Sequence, residues 1–106
     1  MVYTDKIHLV ADTLAELLAF GRAMGLRPEW IQGWGKKLHN PHFLLIPDAM
    51  LVAALKRGAI LVDDIKILKI ALAMKVDDDS AKLLNELFAP SDLPLMNGRT
   101  GQTELL

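Results

Sequence analysis

Ile7-His8-Leu9-Val10-Ala11-Asp12-Thr13-Leu14-Ala15-Glu16-Leu17-Leu18 changes its periodicity partway along. Ile7 to Val10 is a short apolar run with β-branched residues, the pattern of a buried strand, and Asp12 and Thr13 stop it. Thr13 and Glu16 then have capping-box spacing, in which each side chain can satisfy a free backbone N–H at a helix start. Leu14, Leu17, Leu18, Gly21 and Met24 fall on one helical face, and Gly25 is placed to end the helix in the left-handed conformation. A strand that runs straight into an amphipathic helix predicts a sheet with helices packed on it.

The rest of the chain repeats this grammar. Pro28 opens an expected second helix carrying Trp30, Ile31 and Trp34, followed by a loop over 35–41 marked by Gly35, Asn40 and Pro41. His42 to Leu45 reads as a strand, and Pro47 fits the first turn of a helix that runs to Lys56 and Arg57 and exits at Gly58. Ala59 to Val62 is a further strand. Over 65–76, Lys66, Lys69 and Ala73 share a face opposite Ile67, Ile70, Ala71 and Met74, which favours helix over strand. Asp77 to Ser80 caps a last helix through Leu83, Leu84, Leu87 and Phe88, which Pro90 ends. The expected class is α/β: a helix-rich single domain over residues 1–90, with four to five helices on a small sheet of short strands joined by right-handed crossovers, and a mobile tail over 91–106.

Composition narrows the function. In 106 residues there is room for one hydrophobic core. With no cysteine the chain has no disulfide, thiolate nucleophile or cysteine-bound zinc. Twelve basic and thirteen acidic residues leave a net charge of −1, so any nucleic-acid contact needs a local basic patch. No apolar run is long enough to span a bilayer, and Asp5, Lys6 and His8 interrupt what would be a signal core, so a cytoplasmic protein is expected. At 52% hydrophobic residues, a domain this small is expected to keep apolar surface exposed for a homo-oligomer or a protein partner.

The run from His8 to Phe20, and then Gly25-Leu-Arg-Pro-Glu-Trp-Ile-Gln32, resembles the opening of an uncharacterised family of small phage and bacterial proteins, domain of unknown function 4031. His42-Phe43 and Arg57-Gly-Ala-Ile60 resemble its second half. The likeness covers about residues 7 to 62, and Ala-Asp-Thr-x-x-Glu-Leu is its most specific part. Family members carry an aspartate two positions after the histidine and a Ser-Lys-Arg cluster at the start of the next helix. Leu44 and Ala49-Met-Leu-Val52 stand at those positions here, and the early acidic strand is shortened to Val2-Tyr-Thr-Asp5. The resemblance implies a fold and argues against carrying over an activity that depends on that polar group.

The residues offer a few candidate sites, each with a plainer reading. Trp30 and Trp34 lie one helical turn apart beside Arg27, Lys36, Lys37 and His39, and with His42 they make an aromatic and basic neighbourhood able to stack bases and hold phosphates. The plainer reading is one core tryptophan and a solvated loop. His39 and His42 could join His8 or an aspartate around a metal, but no carboxylate partner stands out and no metal or cofactor is expected. Asp63 with Asp64, and Asp77 to Asp79, fit helix capping better than cation binding, and so do Asp12 and Glu16 against an acid–base pair. Gly33 and Gly35 make no phosphate loop, and Ser80 and Ser91 sit at turn or cap positions. Lys66, Ile67, Ile70 and Met74 are a candidate partner-facing surface.

The function expected is therefore a non-enzymatic interaction protein, phage-encoded by resemblance, that self-associates or captures a host protein such as a defence complex. The alternative is a small nucleotide- or nucleic-acid-binding domain or enzyme at the Trp30, Lys36, Lys37 and His42 region, with His8, Asp12 and His39 as further candidates.

Overall fold

Leu9, Val10 and Ala11 are all completely buried, so the strand carrying them is covered on both faces. The computed structural model describes residues 1–35 and 39–88; the expected tail over 91–106 lies outside them. β1 (Val2–Thr4) and β2 (His8–Ala11) form an antiparallel hairpin, and α1 (Leu14–Ala23) follows at once. A 3-10 helix (Pro28–Trp30), β3 (Phe43–Leu44), α2 (Asp48–Lys56), β4 (Ile60–Leu61), α3 (Asp64–Ala73) and α4 (Asp78–Leu87) complete the order. The sheet order is β3-β2-β1-β4, with β4 parallel to β1 and β3 antiparallel to β2. β3 and β4 therefore run the same way at opposite margins, and α2 connects them as an expected strand–helix–strand unit. The β1–β2 hairpin departs from that pattern.

Three helix starts, those of α1, α3 and α4, have the expected capping, whereas α2 begins after Pro47 without a side-chain cap. Thr13 Oγ1 accepts from the Glu16 N–H at 3.1 Å, Asp63 from the Lys66 N–H at 2.7 Å, and Asp77 from the Ser80 N–H at 2.9 Å. At the end of α1, Gly25 has φ +84°, and the Leu26 N–H reaches back to the Gly21 carbonyl at 2.7 Å. The capping box at α1 is half made, because the Glu16 carboxylate turns to the Met1 amino group instead. Asp12 joins that group and also accepts from the Tyr3 hydroxyl at 3.2 Å.

The expected second helix is only the 3-10 turn at Pro28–Trp30. Beyond it, Gln32 exchanges backbone hydrogen bonds with His42, at 2.8 and 3.1 Å, and Gly33 sits at φ +80°. The donor and acceptor that would continue a helix are thus spent on a bridge to the strand side.

Alternation along the strands sorts the helices into two layers. Leu9 and Phe43 are cross-strand partners on one face, where the Phe43 ring lies over Gly21 of α1. His8 and His42 lie on the opposite face and share a cavity with Ile67, Leu68 and Ala71 of α3. α4 packs beside α1 and the 3-10 turn, with Leu84 fully buried. After α3 the chain returns along the exit of β2, where the Leu14 N–H donates to the Lys75 carbonyl at 2.8 Å and the Lys75 N–H to the Asp12 carbonyl at 3.0 Å.

Candidate functional site

The turn between β1 and β2 is built around one carboxylate. Asp5 accepts from the Ile7 N–H at 3.0 Å and from the His8 N–H at 2.8 Å, an Asx turn. Lys6, at its apex, takes φ +90°, and its N–H donates to Thr4 Oγ1 at 3.0 Å. The same carboxylate lies 3.0 Å from His8 Nδ1, and its side chain is only 7% exposed. Burial alone would raise the Asp5 pKa, but the hydrogen bonds from His8 backbone and ring, together with the Ile7 N–H, outweigh it and hold the carboxyl below its ordinary 3.8. Asp5 is therefore ionised at neutral pH, and His8 Nδ1 must donate to it.

His42, on the same sheet face, is fixed in the same manner. Its backbone is paired with Gln32, and its Nδ1 lies 2.7 Å from the Asn40 carbonyl. A carbonyl only accepts, so this nitrogen also carries its proton. The His8 and His42 rings meet edge to face with centroids 5.3 Å apart. They line a cavity of about 130 Å³ together with Asp5, Asn40, Asp64 and the apolar wall of α3, Ile67, Leu68 and Ala71. Among the described residues no three His, Cys, Asp or Glu side chains stand close enough to hold an ion between them.

The other sequence candidates divide elsewhere. His39 stacks on Trp34 with ring centroids 4.2 Å apart and accepts from the Gly35 N–H at 3.3 Å. Trp34 is half-buried, and its indole N–H donates to Asn85 of α4 at 3.0 Å. Trp30 is 52% exposed beside a cavity of about 580 Å³. Arg27 pairs with Glu29 at 3.6 Å, and Lys36 and Lys37 lie outside the described residues. Asp12 sits at the far end of β2 from His8.

α3 carries a second feature. Ile67 and Met74 are buried at 5% and 8% exposure, and Ile70 packs against the same core. They are the helix's inward face rather than a free surface. Ile65, Leu68 and Leu72, spaced i, i+3 and i+7 on the outer face, are 65%, 51% and 47% exposed. Lys66 and Lys69, both exposed, flank that stripe along one side at 100° per residue.

Two signals in the sequence could have found what was missed. Asp5 and His8 are three apart at a strand entry, the spacing of an Asx turn whose carboxylate can also reach a ring. α3 has apolar residues on two faces, more than one contact with a sheet can cover.

No curated protein and no solved structure matches the chain. Over residues 3–74, from β1 through α3, the sequence matches the family model described as "Protein of unknown function (DUF4031)", and the chain belongs to that family.

Proposed function

We propose that this domain is a protein-interaction module whose outer α3 face receives an apolar, acid-flanked segment of another protein. The observation behind this reading is the row Ile65, Leu68 and Leu72, three large side chains between 47% and 65% exposed on one helix face, with Lys66 and Lys69 along one edge. Moving such a row out of water is worth about 1.5–3 kcal/mol per fully covered side chain. The lysine edge selects the sign of the partner's flank. It also disfavours a second copy: in a two-fold antiparallel pair of α3 helices, equivalent flanks face each other and lysine meets lysine. In a phage setting, as the family resemblance implies, the partner is a host protein in the cytosol. Among the described residues no helix is long and apolar enough to cross a membrane.

The test uses two amphipathic helical peptides with the same leucine face, one flanked by glutamate and the other by lysine. The glutamate peptide is expected to shift the amide resonances of residues 64–73, with affinity falling as salt is raised and lost in Leu68→Glu. No shift with either peptide, or shifts centred away from α3, would reject the proposal. A concentration-dependent dimer that Leu68→Glu dissociates would replace the partner with a second copy.

A further inference from the structure

We infer that the cavity between α3 and the His8–His42 face of the sheet anchors one leucine-sized apolar side chain of the segment received by the outer α3 face. The anchor presupposes the protein-interaction role of that face and fixes how the partner is seated on it. The cavity measures about 130 Å³ and presents almost wholly apolar surface, although Asp5, His8, Asn40, His42 and Asp64 stand around it. Much of their polarity is engaged within the chain. The Asp5 carboxylate accepts from the Ile7 and His8 N–H groups and from His8 Nδ1, and the Asn40 carbonyl from His42 Nδ1. What faces the space is mainly carbon, with Ile67, Leu68 and Ala71 as the α3 wall. An apolar cavity of about 150 Å³ takes up benzene. A leucine side chain is smaller than benzene and fits, whereas an indole is larger.

Position on the helix ties this cavity to the exposed row. At 100° per residue, Ile67, Ala71 and Leu68 follow one another round α3, then Leu72 and Ile65, then Lys69 and Lys66. The first three wall the cavity, and the two lysines lie beyond the row on its other side. Leu68 belongs to both features, lining the cavity while it stands 51% exposed in the row. A helical segment laid along the row therefore meets an apolar hollow on one flank and positive charge on the other. The segment that fits has acidic residues along one edge and a leucine on the opposite edge, turned into the gap beside Leu68. Close packing of that leucine is sensitive to a shift of one residue, so it sets the partner's register. The exposed lysines act through solvent and select sign alone.

The full chain is titrated with benzene and, separately, with the glutamate-flanked leucine peptide, and both are followed by side-chain resonances. Benzene should shift the signals of Leu68, Ala71, His8 and His42 in a saturable manner. Replacing the peptide's cavity-edge leucine by alanine should weaken its binding to the original chain at least tenfold, the effect of leaving one such side chain in water. This comparison changes nothing in the protein. Ala71→Leu, shown to be folded by near-UV circular dichroism, fills the cavity from within. It should abolish the benzene shifts and bind the leucine and alanine peptides alike. Absence of benzene shifts overturns the anchor even where the peptide binds α3. A peptide that binds α3 and is indifferent to the alanine replacement also overturns it, and leaves the outer-face role standing. Benzene binding with no peptide binding overturns that role, and the anchor with it.

Discussion

The edge of the Phe43 ring occupies the space a side chain would need at Gly21. A methyl group there would stand 2.6 Å from Cε2 and 3.1 Å from Cζ of a ring that is 1% exposed. Gly21→Ala should gain about 1 kcal/mol of helix propensity and lose about 1–3 kcal/mol to overpacking. The net expectation is a lower melting temperature, followed by circular dichroism. Adding Phe43→Leu to Gly21→Ala should recover part of the loss, although Phe43→Leu alone is destabilising.

Lys6 holds φ +90° at the tip of the β1–β2 turn. Left-handed backbone costs a residue with a Cβ about 1–2 kcal/mol, whereas glycine adds about 0.5–1 kcal/mol of chain entropy to the unfolded state. Lys6→Gly is therefore expected to stabilise by up to about 1 kcal/mol, and Lys6→Ile to destabilise. Urea unfolding midpoints with unchanged slopes would show both effects.

Asp5 sets an acid limit to stability. Its pKa lies below 3.8 in the folded protein, so its contribution is complete above the unfolded value and is lost as pH falls through the folded one. Asp5→Asn should cost about 1.5–3 kcal/mol at neutral pH, the range for hydrogen bonds to a charged group. The gap between the two proteins should close as pH falls below about 4, near the unfolded carboxyl value. Unfolding curves recorded from pH 7 to pH 2.5 would reveal it, and a gap that stays constant would mean that the carboxylate charge contributes nothing.

α4 lies beyond the family match at residues 3–74, yet Leu84 is completely buried. Leu84→Ala should destabilise by about 2–5 kcal/mol. Because Asn85 holds the Trp34 indole from the same helix, tryptophan fluorescence should report the loss at the same denaturant concentration as circular dichroism. Separate transitions would instead make α4 an independently melting element.

Local chemistry carried the sequence reading as far as it went. Thr13, Asp63 and Asp77 cap helices where their spacing indicated, and Ile67, Ala71 and Met74 turn inward opposite Lys66 and Lys69. Non-local pairing defeated it. The helix expected after Pro28 stops because Gln32 finds its backbone partners ten residues on, at His42. The same pairing decides that His42 meets His8 while His39, three positions earlier, stacks on Trp34. Spacing had grouped His39 with His42. The register of His8 with Leu44 separates them, and nothing within either segment encodes that register.

Both margins of the sheet, β3 and β4, are only two residues long. An incoming extended segment would find almost no unpaired N–H and C=O groups to template on, so fibril-like stacking has little foothold here. Among the described residues, oily helix surface is thus carried without a long open ladder on which aggregates could grow.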